Sequence, residues 1–495
     1  MAAMKNTFRA SMAWLHTTLG LFTGWILLAI VLSGTLSVFR PEITLWCHPE
    51  LGSTPTNPLQ ASSHAIAWLN QHAPGSDAWF LETATDRAPF TTATWPDPHG
   101  NYQQRILDPA TGSPDGLRDT PGGEFFYRFH FELQLPYPWG RMIAAIAALA
   151  LVTALLTGII VHKRILLDFF TFRPGTGEKS WGQRSWMDVH TLLGVAALPF
   201  HLMIAFTGAV TLGSLLLPWP TQAIYRHDLP SADTDLNPAL HSRPATGHPA
   251  HLTPILPLLQ DATRRFNGTG IAQIYVFNPG DQGSLITILS GNTGTISTTR
   301  QILTFDGPTG RLIASHTENR PVIRLYTFLY GLHIARFAPV LTRWLYFLSG
   351  LALATVIGSG MHLWAIKRLR HHPHHGHRLT NRLNIGMLAG TPLAFAAFFL
   401  ANLLLPTPLP SRASRTVEAV FTLWAAALLY ALFRRPERAW PELLGSNAIA
   451  CLSIALLSMP WHTTPAIGTG LTALGLANLF GYATLHTASK RTRQT

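Results

Sequence analysis

Charged residues vanish from this chain in long blocks. Residues 10–39 contain no Asp, Glu, Lys or Arg, and neither do 142–162, 189–225, 344–366, 383–411, 419–433 and 443–489. About 20 apolar residues cross the hydrocarbon of a bilayer, so each block predicts a membrane helix. The last block is too long for one helix and divides at Pro460-Trp461-His462-Thr463-Thr464-Pro465. The pattern predicts about eight transmembrane helices: 10–39, 139–162, 186–217, 340–366 and four more within 383–488. The first is too long for a signal peptide and shows no small-residue cleavage site, so it is expected to be a retained anchor. Between the helices lie two long segments, 40–138 and 218–339, and two short ones, 163–185 and 367–382. In each long segment an apolar helix-like stretch (65–72 and 255–266) precedes short strand-like runs, which predicts a small α+β domain.

Composition supports a membrane protein and excludes its rivals. Only 12% of residues are charged, against about 25% in soluble proteins. A disordered chain would show the reverse balance. The net charge of +12 is expected to mark cytoplasmic loops rather than nucleic-acid binding. With the N-terminus inside, Lys5, Arg9, the basic residues of 163–184 and 367–382, Arg434, Arg435, Arg438, Lys490, Arg491 and Arg493 all face the cytoplasm. The short outer loops hold only Arg412 and Arg415. Both long segments are therefore expected outside, with both termini cytoplasmic. Two cysteines, Cys47 and Cys451, exclude a disulfide framework and any four-thiolate metal site.

The first four predicted helices read as two copies of one unit. His16-Thr17-Thr18-Leu19-Gly20 opens the first helix and His190-Thr191-Leu192-Leu193-Gly194 the third; Ser33-Gly34 then matches Thr207-Gly208. Phe125-Phe126-Tyr127-Arg128-Phe129-His130 precedes the second helix and Phe328-Leu329-Tyr330-Gly331-Leu332-His333 the fourth. The outer segments end near Asp108-Pro109-Ala110-Thr111-Gly112 and Asp306-Gly307-Pro308-Thr309-Gly310, which read as hairpin turns. Each copy crosses the membrane twice, so the copies run parallel.

These motifs resemble those of the PepSY-associated transmembrane-helix family over roughly residues 8–370. The resemblance extends to Val161-His162-Lys163-Arg164, to Asp168-Phe169-Phe170-Thr171-Phe172-Arg173-Pro174, and to Asp188-Val189-His190 running into Leu198-Pro199-Phe200-His201. Thr17 and Thr191 stand where family members often carry Arg. Within the family the chain looks most like FoxB-type bacterial inner-membrane ferric-siderophore reductases. The resemblance implies an all-α polytopic membrane protein with a four-helix core from two parallel repeats and two small PepSY-like periplasmic domains. It also implies haem.

Histidine inside a span is a functional candidate by default, and this chain has 23 histidines. Helix-to-helix hydrogen bonding is the plainer reading of any one of them. His190 and His201 are eleven residues apart, which on a straight helix gives one shared face and about 16 Å of separation. One helix would then serve two stacked haems. The repeat pairs His16 with His190 at the inner surface, where His162 is the rival ligand and His362 lies nearby. It pairs His130 with His333 at the outer surface, where His201 is the further candidate. Two haems b with bis-histidine ligation are expected. Arg141 and Arg343 hold near-equivalent positions and are expected to contact haem propionates or an anionic chelate, with interfacial snorkelling as the alternative. The His371–His377 loop has too few other donors for a defined metal site and reads as a solvated loop.

No nucleotide-binding glycine loop or His-Glu-x-x-His pair occurs in the sequence. The expected activity is electron transfer to a periplasmic ferric siderophore, with quinol or a cytoplasmic reductase as donor and no acid–base residue required. Two alternatives remain: a cytochrome b-like subunit serving a soluble partner, or a haem-free transporter or sensor whose outer domains bind a ligand.

Overall fold

The computed structural model describes residues 7–51, 57–162, 182–226, 228, 231, 235, 243–291, 294–459, 470, 472, 474–479 and 481–483. They divide into two compact units. One comprises Met1–Cys47, Asp119–Leu216 and Pro339–Thr495; the other comprises His48–Arg118 and Leu217–Ala338.

The first unit is a helix bundle of α1 (Phe8–Ser37), α2 (Arg40–Cys47), α4 (Glu124–Glu132), α5 (Trp139–Val161), α6 (Gln183–Ala196), α7 (Leu198–Thr211), α10 (Val340–His371), α11 (His375–Leu404), α12 (Arg412–Phe433) and α13 (Pro436–Leu457). Six of these are long and apolar enough to span a membrane, and α6 and α7, bent by 70° at a short break, meet the same criterion only as a pair. This is a multi-pass membrane protein. The eighth expected helix and its Pro460–Pro465 turn fall largely outside the described residues.

Two sequence expectations change here. The third passage is not straight. It breaks at Ala197, because Pro199 occupies the first turn of α7 and has no N–H to continue the ladder of α6. The face shared by His190 and His201, and their 16 Å spacing, therefore do not hold. The loop expected at 367–382 is mostly helix, with α10 running to His371 and α11 starting at His375. Its charges mark where the helices leave the apolar zone, not where they stop. Arg368, Arg370 and His371 also lie in the last turn of α10, where cations suit the helix dipole.

In the core, α1 packs between α5 and α10, while α6 lies on α10 and α7 on α5. The helix α11 is the most enclosed, with 67% of its apolar window buried against 22% for α10 and α12. Phe125 and Phe126 of α4 pack on Phe398 of α11 with ring centres 5.0 Å away in both cases. Aromatic pairs of this kind add about 0.5–1.5 kcal/mol beyond area burial. Arg412 is fully buried and donates to the Asn402, Leu405 and Asp119 carbonyls and to Asn402 Oδ1. These partners offset the cost of taking a guanidinium out of water.

The second unit is α+β. Its strands are β1 (Ala78–Glu82), β2 (Thr91–Pro96), β3 (Tyr102–Leu107), β4 (Ile271–Phe277), β5 (Leu285–Ser290), β6 (Gln301–Asp306) and β7 (Leu312–Thr317). They form one seven-stranded sheet in the order β3-β2-β1-β4-β5-β6-β7. The two outer segments are thus not two separate small domains. Antiparallel pairing of β1 with β4, Phe80 opposite Tyr275, fuses them. Each segment alone would leave that edge open, and pairing the two edges removes the exposed ladder. α3 (Pro58–His72) and α8 (Ile255–Arg265) cover one face through Leu69, Leu259, Trp79 and Ile274. A further helix of this unit, α9, is Pro321–Ile334. Both expected turns form: Asp108 accepts from Ala110 N–H, Asp306 from Thr309 N–H, and Gly112 and Gly310 take φ of +74° and +69°. Glycine adopts that region without steric cost.

Candidate functional site

The site lies in the helical unit and is built twice from the same parts. His16 of α1 donates from Nδ1 to the Ala154 carbonyl of α5 at 2.8 Å, with Thr157 Oγ1 at 3.4 Å. His190 of α6 donates from Nδ1 to the Val356 carbonyl of α10 at 2.9 Å, with Ser359 Oγ at 3.1 Å. Each ring rests on a glycine. A Cβ on Gly158 would stand 3.2 Å from His16 Cε1, and one on Gly360 3.2 Å from His190 Cε1. The acceptor, the hydroxyl and the glycine thus fall at the same steps along α5 and α10. The repeat read in the sequence is a repeat of contacts.

That arrangement fixes chemistry. A carbonyl can only accept, so Nδ1 carries a proton in both rings, and in the neutral form of each ring the lone pair is on Nε2. The two rings meet with centres 6.4 Å apart and planes at 80°. Both border a cavity of about 790 Å³ whose walls include Leu27, Leu151, Val195, Leu198 and Leu353. His162, at the C-terminal end of α5, lines the same cavity. Lys367, Arg368, His371 and His372 also border it, and among the described residues no Asp or Glu lines it.

The other expected residues do not join this cavity. His130 donates from Nδ1 to the Ile30 carbonyl at 2.8 Å and packs on Gly34. His201 is fully buried; its Nε2–H donates to the Ser349 carbonyl at 3.1 Å, and its Nδ1 has no hydrogen-bond partner. His333 belongs to α9 of the second unit, so the His130–His333 pair is divided between the units. His362 packs edge-on between Trp186 and Trp440.

Arg141 and Arg343 each already pair with a carboxylate of the chain. Arg141 pairs with Glu132 at 3.1 Å and lies over Phe131 and Tyr137. Arg343 is 9% exposed and pairs with Glu42 of α2. The reason is local: the short helices α2 and α4 each bring a Glu to the start of a membrane helix. In the His-rich segment, His374 Nδ1 accepts from Gly376 N–H as the N-cap of α11, and His377 Nδ1 donates to the His372 carbonyl. Among the described residues no group of three His, Cys, Asp or Glu is placed to hold a metal ion.

Sequence reasoning missed Thr157, Ser359, Gly158 and Gly360, the parts that hold the two imidazoles. A usable signal existed, since each pair keeps the spacing that separates Arg141 from Arg343.

Comparison with known proteins gives the same extent for the repeat. A family model described as the PepSY-associated TM region matches residues 13–367. An uncharacterised protein of Pseudomonas aeruginosa is 28% identical over 383 residues, covering 72% of this chain and 92% of that protein. A cavity flanked by twin histidines, inside a repeat that the match spans end to end, is therefore a feature of a chain that belongs to the PepSY-associated transmembrane family.

Proposed function

We propose that this protein is a haem-carrying reductase of the bacterial inner membrane that passes electrons across it to a periplasmic ferric siderophore and releases Fe(II). The observation that carries the reading is the His16–His190 pair. A metal held between two imidazoles by bonds of about 2 Å sets their ring centres roughly 6–6.5 Å apart, and these rings stand at 6.4 Å. The cavity volume of about 790 Å³ lies in the usual range for cofactor pockets, about 300–1,000 Å³. Its leucine-rich walls and paired imidazoles suit haem.

Haem bound there supplies reversible one-electron exchange. The chain does the rest. The Ala154 and Val356 carbonyls fix the tautomer and angle of each ring and raise the basicity of Nε2. The apolar walls exclude water, which tunes the potential. His201, buried with one nitrogen unpaired, and His130 are candidates for a second haem. In this reading Fe(III) in the chelate accepts one electron. Fe(II) is softer and held less tightly by the oxygen donors of the siderophore. The N- and C-termini lie in the cytoplasm, and the β-sheet unit is periplasmic.

The deciding measurement is a reduced-minus-oxidised visible spectrum of the purified protein, followed by oxidation of the reduced form with a panel of ferric siderophores. A haem spectrum whose reduced form each productive siderophore reoxidises is the expected result. Absence of haem overturns the reading in favour of a transporter or sensor. Haem that no siderophore reoxidises turns it to a cytochrome b-like subunit serving a soluble partner.

A further inference from the structure

The cavity between His16 and His190 is apolar over most of its wall and cationic at one end. On α10 the lining residues recur at helical spacing: Leu353, Val356, Ile357, Gly360, Trp364, Lys367 and Arg368 form one stripe. Gly360, which makes room for His190, and Lys367 are seven residues apart, about 10 Å along the axis and nearly on the same face. Arg368 lies over the Trp364 ring with Cζ 4.0 Å from its centre. That contact holds the guanidinium plane and leaves its N–H edges for an acceptor. No Asp or Glu lines this end among the described residues, and neither Lys367 nor Arg368 makes an ion pair there. Two cations beside an apolar cavity, with no anion among the described residues to match them, are complementary to an amphiphile that carries carboxylates at one end. Arg141 and Arg343 do not border this cavity, and each already pairs with a glutamate.

Resting on the haem reading above, we infer that Lys367 and Arg368 form a carboxylate-binding collar that holds the propionate groups of the porphyrin seated between His16 and His190. The collar sets which way round the ring enters: its apolar edge faces the leucines of α5 and α10, and its carboxylates face the end of α10. Charge-assisted hydrogen bonds from lysine and from a stacked arginine are the strong class of such contacts.

The test uses full-length protein made in haem-limited cells, titrated in detergent with iron protoporphyrin and with its dimethyl ester, which has the same ring and iron but no carboxylates. Binding is followed by the Soret band and by equilibrium dialysis. It is read on the component that His190→Ala removes. The expected result is a preference for the free acid of about tenfold or more. Lys367→Gln with Arg368→Gln erases that preference, and Lys367→Arg with Arg368→Lys keeps it. Arg141→Gln with Arg343→Gln leaves it unchanged. Equal binding of acid and ester by the wild type, or an intact preference in the Gln pair, overturns the collar while the haem site stands. Failure of the wild type to bind either porphyrin overturns both the collar and the haem reading.

Discussion

The two copies of the repeat carry out the same task with different helices. In the first copy α1 runs unbroken for 30 residues past His16. In the second the equivalent passage bends by 70° between α6 and α7. The difference sits at two positions: Trp25 and Leu27 of the first copy correspond to Pro199 and His201 of the second. Trp25 donates to Asn384 Oδ1 and ties α1 to α11. Pro199 has no N–H to give, so the helix restarts and His201 meets the Ser349 carbonyl instead. Where function demands symmetry, at the Nδ1 contacts, the copies agree to within 0.1 Å (2.8 and 2.9 Å). Elsewhere they have diverged. The contacts that hold the two central imidazoles are thus kept in both copies while the path of the helix beyond them is not.

The largest expected effect tests the equality of the copies. Under the proposed haem reading, His16→Ala and His190→Ala should each abolish the same component of the spectrum, because each removes one of the two imidazoles that would hold the group. A variant of either kind that keeps the full spectrum breaks the pairing and moves the ligand to His162.

Next is the difference between the two arginines. Arg343→Gln breaks a pair whose arginine is 9% exposed and should destabilise the protein by about 3 kcal/mol, the usual result of breaking a buried pair. Arg141→Gln opens a pair whose arginine side chain is 36% exposed and should cost less than about 1 kcal/mol. Thermal unfolding in detergent measures both. Equal costs would show that the two interfacial positions are equivalent in energy as well as in sequence.

A smaller effect is expected at the bend. Pro199→Ala restores one N–H, and global stability should change by about 1 kcal/mol or less. The His190-dependent spectrum should stay constant while any His201-dependent component shifts. A shift in the former would mean that the bend, not the repeat, positions His190.

The smallest effect compares the two halves of the sheet. Asp281 accepts from Thr246 N–H and from the Gly247 and Gly283 N–H groups, and these bonds, the Thr246 amide foremost, hold its carboxyl down at about 2. Since the folded value lies below the ordinary 3.8, this tether is complete above about pH 4 and is lost as pH falls through 2. Acid protease digestion at graded pH should cut residues 244–248 only at the low end. Asp281→Asn should remove that pH dependence.

Much of the bundle is legible in the sequence because desolvating a charge is expensive, so its absence over 20 residues leaves few alternatives. The twin histidines are legible for the same reason. The bend is not, because proline in a span has no single outcome: Pro392 and Pro441 lie inside α11 and α13 without ending them. Neighbouring helices and side chains decide whether the freed carbonyl is satisfied. The collar is hidden by its own charge, since Lys367 and Arg368 read as loop residues when they are the last turns of α10. Fusion of the outer segments is invisible too. A strand's sequence does not say whether its free edge meets a strand of its own segment or of one far along the chain.

That fusion has a consequence for how the protein is made. β1 is complete about 190 residues before β4 exists. At a synthesis rate of about 5–20 residues per second, the interval is roughly 10 to 40 s. During it the edge of Ala78–Glu82, with Trp79, Phe80 and Leu81 in a row, has no partner strand. Such an edge is a template for pairing with another chain. Closing that edge therefore waits for β4, which pairs with β1 along its whole length from Ala78 to Glu82.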